Sequence, residues 1–362
     1  MASNFEGDPN AARIAFHGVR MTEINPQEWL RLYGRANEIA TDAGSGFGAA
    51  GRYIRRRLAT PLRDWSNLRS LVGWLRTAIR ARNVALLDYP DHSNVGDHLI
   101  WLGEKIIIKE RLGLRIVYGG SAHTVRFDEL STFGDIPLIC HGGGNFGDLY
   151  PLHQGFREEV LAAFPDRQIV FMPQTIHYRD PATFLSSPLA QSNWKGLTIC
   201  ARDRRSLGFL RTTAGHLNAR LAIDAAFALR STVRKIAHEI GPRQRTPLLL
   251  MRTDIERSDH ASALGGEVST DWLDDAVTET FLSDSKVEYI IEKCDLRRLI
   301  DFEWEAKSLG YLVRSVALIA SAKIVITDRL HGHILSRLLG RPNIFIDNSY
   351  GKNAGFLETW GK

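Results

Sequence analysis

The chain has 362 residues, of which 44% are hydrophobic and 24% charged, the balance of an ordinary soluble globular protein long enough for two sizeable cores. Its formal charge of +5 is unevenly placed, because nine arginines and one acid, Asp64, lie between Arg52 and Arg82 and leave the remainder slightly acidic. A nucleic-acid-binding body, which carries its basic stripe on the fold itself, is thereby excluded.

Residues 1–50 are rich in Ala, Gly and Asn with weak periodicity, a composition that predicts partial disorder. The first 30 residues lack the apolar core of a secretory leader, and no stretch elsewhere approaches a membrane span. A cytoplasmic protein is expected. From Trp65 to Ile79, Leu68, Leu71, Val72, Leu75 and Ile79 share one helical face and arginines fill the others. Residues 1–80 thus read as an extension, partly disordered or helical. Its arginine-rich part, residues 52–82, has two possible uses: peripheral contact with the anionic inner face of a membrane, or packing on the next domain.

From Val84 the pattern becomes strand, turn, helix. Val84–Asp88, Ile136–Cys140, Ile169–Met172, Leu197–Cys200 and Leu221–Ile223 are short apolar runs, most followed by a helical segment. Such alternation predicts a parallel sheet covered on both faces. After the linker-like Gly241–Pro247 it restarts with Leu248–Met251, a helix over Ser308–Ala322, a strand at Ile324–Ile326 and another at Asn343–Asp347. From Leu330 apolar residues recur at helical spacing until Gly340 and Pro342 close the helix. The economical reading is two Rossmann-like domains facing a cleft, residues 81–240 and 241–362.

Chemistry concentrates where strands end. Arg329, Leu330 and His331 stand where a strand meets a helix start, the place where open α/β sheets bind anions. An arginine there is a bidentate anion clamp and a histidine a proton donor. Arg252 and Lys352, in Arg252-Thr-Asp254 and Asn348-Ser349-Tyr350-Gly351-Lys352-Asn353, follow neighbouring strands. Three converging cations without assigned carboxylate partners predict a small polyanion. His141-Gly-Gly-Gly-Asn-Phe-Gly147 satisfies G-x-G-x-x-G after a strand, but the next strand ends Met172-Pro173-Gln174, without the acid that holds a dinucleotide's ribose. What remains is a loop of bare N–H groups at Gly143, Gly144 and Asn145, for a phosphate or a sugar, or glycines that serve only a tight turn. Asn94 and Asp97 open the first helix of the first domain; Asp97 either caps that helix or joins Asn94 in binding sugar hydroxyls. Cys140, Cys200 and Cys294 fit no zinc or disulfide pattern. His331 and His333, two apart on a helix, point away from each other, so no metal site is expected.

Asn94-x-Gly-Asp97, His141–Pro151, Arg329-Leu-His-Gly-His333 and Asp347–Lys352, in this order, resemble the polysaccharide pyruvyltransferase family over about Arg82 to Trp360. The resemblance implies a GT-B-like fold. It also implies metal-free, cofactor-free transfer of the carboxyethylidene group of phosphoenolpyruvate onto a saccharide acceptor, free or lipid-linked, as a cyclic ketal. In the family the Arg-Leu-His stretch and an arginine early in the second domain contact phosphoenolpyruvate, matching Arg329, Leu330, His331 and Arg252. On this reading Arg329, His331 and Asp97 are the catalytic set, with His331 the acid that protonates the methylene carbon. Arg252, Leu330, Lys352, Asn94, His141, Gly143, Gly144, Asn145, Ser349 and Tyr350 bind substrates, and the hydroxyl's base is Asp97 or His141. Two other functions compete: a nucleotide-sugar glycosyltransferase on the same fold, and a non-catalytic glycan-binding component of a polysaccharide assembly complex.

Overall fold

The computed structural model describes residues 15–17, 49–191, 193–241, 246–257, 270–273 and 282–361. The expected disorder in residues 1–50 otherwise lies outside these. A three-residue strand, β1 (Ala15–His17), is followed by the long helix α1 (Ala49–Ala78) and then by β2 (Asn83–Leu87). The alternation runs on through α2 (Val95–Lys105), β3 (Arg115–Gly120), β4 (Leu138–Cys140), β5 (Gly143–Gly147), α3 (Pro151–Ala163) and β6 (Ile169–His177). It continues with β7 (Leu197–Ala201), α4 (Arg204–Thr213), β8 (Ala219–Leu221), α5 (Arg230–Ile240) and β9 (Thr246–Leu250). Last come α6 (Ala306–Ser321), β10 (Ala322–Thr327), α7 (Leu330–Leu339), β11 (Asn343–Phe345) and α8 (Lys352–Trp360).

Two sheets result. The larger runs β3-β2-β4-β6-β7-β8, all parallel, with β5 paired to β6 beyond the end of β4. The smaller runs β1-β11-β10-β9, parallel except for β1. The chain is therefore a mixed α/β protein with a Rossmann-like parallel sheet. The apolar runs of the sequence become buried strands because helices cover both faces of the larger sheet. One face packs on α3 and α4 through Phe171, Ile199, Val160 and Leu210. The other joins a core containing Leu99 and Trp101 of α2, Leu312 and Val316 of α6, and Ile334 and Leu335 of α7. Two strands carry weak apolar signals in the sequence: β1, and the edge strand β3, buried only at alternate positions.

The apolar face of α1 is spent on this core. Leu68, Leu71, Val72, Leu75 and Ile79 are buried in it, each worth about 1.5–3 kcal/mol, and Asp64 pairs with Arg337 at 2.6 Å. Packing thus accounts for that face. Leu62 and Trp65, 70% and 40% exposed, are what the described part of α1 leaves for any membrane surface. Among the described residues no helix is long and apolar enough to cross a membrane.

Candidate active site

A cavity of about 330 Å³ opens where strand ends of both sheets meet. His92, Asn94 and Asp97 reach it from the turn after β2 and the start of α2, Gly144 and Asn145 from β5, and Arg202 from the end of β7. Arg252 follows β9, Arg329, Leu330 and His331 follow β10, and Lys352 follows β11. Parallel strands present their carboxyl ends together, which is why residues so far apart in sequence converge.

The expectation that these cations lack carboxylate partners is overturned. Arg329 is forked onto Asp271, Nε to Oδ1 at 2.5 Å and Nη2 to Oδ2 at 2.6 Å, and Nη2 also reaches Asp254 at 3.3 Å. Arg252 is forked onto Asp254 at 2.8 Å twice and lies 3.3 Å from Glu256. Lys352 donates to Glu256, which also accepts from Tyr150 at 2.8 Å and Asn348 at 3.1 Å. Burial would push Glu256 up, but Lys352 and Arg252 hold it down to about 2. The pairing has a plain cause. Cations this deeply buried are stable only when paired. In each fork Nη1 takes no part, so the carboxylates fix the guanidinium planes without occupying every donor.

Gly144 brings two cations together. A Cβ on this residue would stand 3.1 Å from both Arg202 Nη2 and Lys352 Nζ, so the bare backbone leaves room for their approach. Arg202 is held from behind, Nη1 on Asp224 and Nε on Thr175, both at 2.8 Å. Burial pushes the Lys352 ammonium down to about 8, with Arg252 and Arg202 adding to that and Glu256 opposing it. An anion placed there would relieve the repulsion.

His331 begins α7 with its ring laid against the start of α2. A Cβ on Gly96 would come within 2.4 Å of its Nδ1, so the glycine is what admits the imidazole. Its Nε2 stands 3.4 Å from Asp224 Oδ2. Burial would raise Asp224, but His331 and Arg202 hold it well below the usual carboxylate range. Asn94, not Asp97, caps α2, accepting from Gly96 N at 3.3 Å, and its Nδ2 donates to Asp97 at 2.8 Å. Asp97 is left facing the cavity as a carboxylate, since His92, His141, His331 and Lys352 outweigh its burial. His333 turns into the core, stacked on Phe345 and bonded to Asn343 at 2.7 Å.

Other candidates fall outside the cavity lining. His141 is buried behind it, its Nδ1 2.8 Å from Glu104, and the Gly142 N–H is also spent on Glu104. The glycine stretch is not a bare loop: Gly143–Gly147 is a strand on β6, with φ of +120° at Gly143 and +131° at Gly147. Ser349 is exposed and gives its N–H to the Glu256 carbonyl, and the Tyr350 ring stacks on His177 at 4.3 Å. Sequence reasoning missed Arg202, His92, Tyr150, His153, Glu256 and Trp272, all of which line the cavity. Arg202 had a usable signal, since it directly follows the Leu197–Cys200 run. Among the described residues no group of three or more His, Cys, Asp or Glu is placed to hold a metal ion.

Residues 94–350 match the family model for polysaccharide pyruvyl transferases. The chain belongs to that family. Pyruvyl transferase 1 of Schizosaccharomyces pombe is 31% identical over 287 residues, 77% of this chain and 70% of that one. The provisionally named pyruvyl transferase EpsO of Bacillus subtilis is 31% identical over 300 residues, 80% of this chain and 89% of that one. In fold, the chain is similar to an uncharacterised Klebsiella pneumoniae protein, with a TM-score of 0.52, 18% identity and coverage of 81% and 94%. The family match takes in every cavity-lining residue except His92, Ser93 and Lys352.

Proposed function

We propose that the protein transfers the carboxyethylidene group of phosphoenolpyruvate to a sugar of a polysaccharide or its precursor, forming a cyclic ketal without metal or cofactor. The observation that carries this reading is the meeting of Arg202 Nη2 and Lys352 Nζ at Gly144, beside the forked Arg252 and Arg329. Phosphoenolpyruvate bears a phosphate and a carboxylate at its two ends, and this arrangement offers fixed cationic donors to both. His331 delivers a proton to the methylene carbon. The acceptor's first hydroxyl then bonds to the neighbouring carbon, and its second hydroxyl displaces phosphate to close the ketal. Asp97 and Asn94, at the start of α2 where His331 lies against it, take the sugar side. A GT-B-like pair of Rossmann-like domains, with the cavity as their cleft, accommodates a donor held by Arg252, Arg329 and Lys352 of the second with Arg202 reaching in from the first, and an acceptor on the first.

The protein would act in the cytoplasm, where phosphoenolpyruvate is made. A lipid-linked acceptor would bring it to an anionic membrane face, with Leu62, Arg63, Trp65 and Arg69 of α1 as contacts. The test is incubation with phosphoenolpyruvate and a panel of glycans, read by mass spectrometry. A glycan that gains the carboxyethylidene mass, with phosphate released, is the expected result. Thermal stabilisation by UDP or GDP and none by phosphoenolpyruvate would overturn the reading in favour of a glycosyltransferase.

A further inference from the structure

Asp88 and His153 belong to no motif and to no step above. Asp88 follows β2 and is one of two non-glycine residues among those described with a left-handed backbone, at φ +69°. Such a conformation is strained in a non-glycine residue and persists only where the surroundings impose it. Asp88 is also fully buried. Its Oδ1 lies 2.8 Å from His153 Nδ1, and its Oδ2 lies 3.7 Å from Arg157 Nη2 without a hydrogen bond of its own. Burial would push Asp88 up, but His153, Arg157 and His141 hold it below the usual carboxylate range. His153 sits in the first turn of α3, and its side chain, 14% exposed, lines the cavity. With Nδ1 taken by a carboxylate, the ring is fixed in the tautomer whose Nε2 is a free acceptor. The groups that face it are Asp88 at the end of β2, Arg157 on its own helix, and His92. The His92 ring crosses His153 edge-on at 6.2 Å, and its Nε2 stands 3.6 Å from Asp97.

The geometry points to His153 as the general base for the attacking sugar hydroxyl, a catalytic residue, with Asp88 as its positioning residue. This rests on the pyruvyl transfer proposed above. In the step, the hydroxyl O–H breaks toward His153 Nε2 as its oxygen bonds to the phosphate-bearing carbon. The electrons of the carbon–carbon double bond take the proton of His331 at the methylene, which becomes methyl. The second hydroxyl then bonds to the same carbon, the carbon–oxygen bond to phosphate breaks, and hydrogen phosphate leaves with that hydroxyl's proton. His153 returns its proton to solvent and His331 regains one, so the cycle closes. Asp97, bonded to Asn94 and with His92 3.6 Å away, is left to hold the sugar.

The experiment compares full-length wild type, His153→Gln and Asp88→Asn with phosphoenolpyruvate and a glycan that the wild type modifies. For His153→Gln the dissociation constant for phosphoenolpyruvate stays within twofold, while kcat falls roughly a hundred- to ten-thousandfold. The acidic limb of the kcat profile, which reports the deprotonated base, disappears. Asp88→Asn tolerates the left-handed backbone but no longer fixes the tautomer, so kcat falls with binding again kept. It carries the test alone if His153→Gln loses its thermal unfolding transition. Wild-type kcat in His153→Gln, an acidic limb that survives, or donor affinity that falls in step with kcat would each overturn the assignment. A wild type that modifies no glycan overturns the proposed function instead, before any variant is made.

Discussion

Arg329 carries two loads that a pair of substitutions separates. Its guanidinium is forked onto Asp271, and both side chains are no more than 3% exposed. Arg329→Ala strips Asp271 of both bonds and leaves it those from Thr253 N at 2.9 Å, Thr253 Oγ1 at 2.8 Å and Leu273 N at 3.3 Å. Breaking a buried ion pair from one side costs about 3–5 kcal/mol, and the retained Thr253 bonds favour about 3. At about 2 °C per kcal/mol for a chain of this size, Tm should fall about 6 °C. Donor binding loses a charge-assisted contact worth about 1.5–3 kcal/mol, so affinity should drop about 10- to 150-fold. Adding Asp271→Asn removes the stranded charge. In the double variant Tm should recover most of its loss while the dissociation constant, read by calorimetry, stays weak. Recovery of phosphoenolpyruvate affinity in the double variant would refute the reasoning, because Arg329 would then serve only to neutralise Asp271.

The remaining perturbations read single features. Lys352, pushed down to about 8, binds an anion only while protonated, so phosphoenolpyruvate affinity should be flat below that pH and weaken as pH rises through it. Lys352→Arg should remove the alkaline limb, and a flat wild-type curve by calorimetry would exclude the lysine from the donor site. Gly96→Ala should help α2 by up to about 1 kcal/mol in helix propensity yet drive a Cβ to 2.4 Å from His331 Nδ1. Steady-state assays should show kcat falling about a hundredfold, since misplacing a reacting group by about 1 Å costs that much; an unchanged kcat would show that His331 need not stand there. Leu62→Glu with Trp65→Glu should reduce sedimentation with anionic vesicles, and equal sedimentation would leave α1 no contact beyond the core.

What the sequence disclosed follows from which signals are local. Strand ends were legible because Val84–Leu87 or Ile324–Ile326 is buried on both faces and so reads as an unbroken apolar run. Arg329, His331 and Arg252 were legible because each follows such a run. Asp271 was not, since it lies 58 residues from its partner and no pattern links them. Glu256 was nearer at hand, four residues past Arg252, but a strand-end carboxylate cannot be told from a solvated one without the fold. Gly143–Gly147 failed for another reason. With three glycines in five residues and Phe146 its one apolar side chain, the strand shows no apolar run, so it read as a loop, though its partner β6 lies alongside. β1 is three residues long and gains its identity from β11.

The carboxylates that falsify the picture of free cations make better sense of the site than free cations would. Arg202, Arg252, Arg329 and Lys352 without partners, inside one cavity, would repel one another, and some would lose their protons or swing to solvent. Forked onto Asp254 and Asp271, the guanidiniums keep their planes before any substrate arrives, so no reorganisation accompanies reaction. Glu256 does the same for Lys352, and Asp224 for Arg202 and His331 together. Asp224 is the connecting member. It follows β8 of the larger sheet and His331 follows β10 of the smaller, so Arg202 at Gly144 and the His331 ring at Gly96 are positioned through one carboxylate. Under the proposed transfer, a change at Asp224 would therefore disturb donor binding and proton delivery at once, whereas a change at Asp271 reaches Arg329 and one at Glu256 reaches Lys352 and Arg252, cations alone.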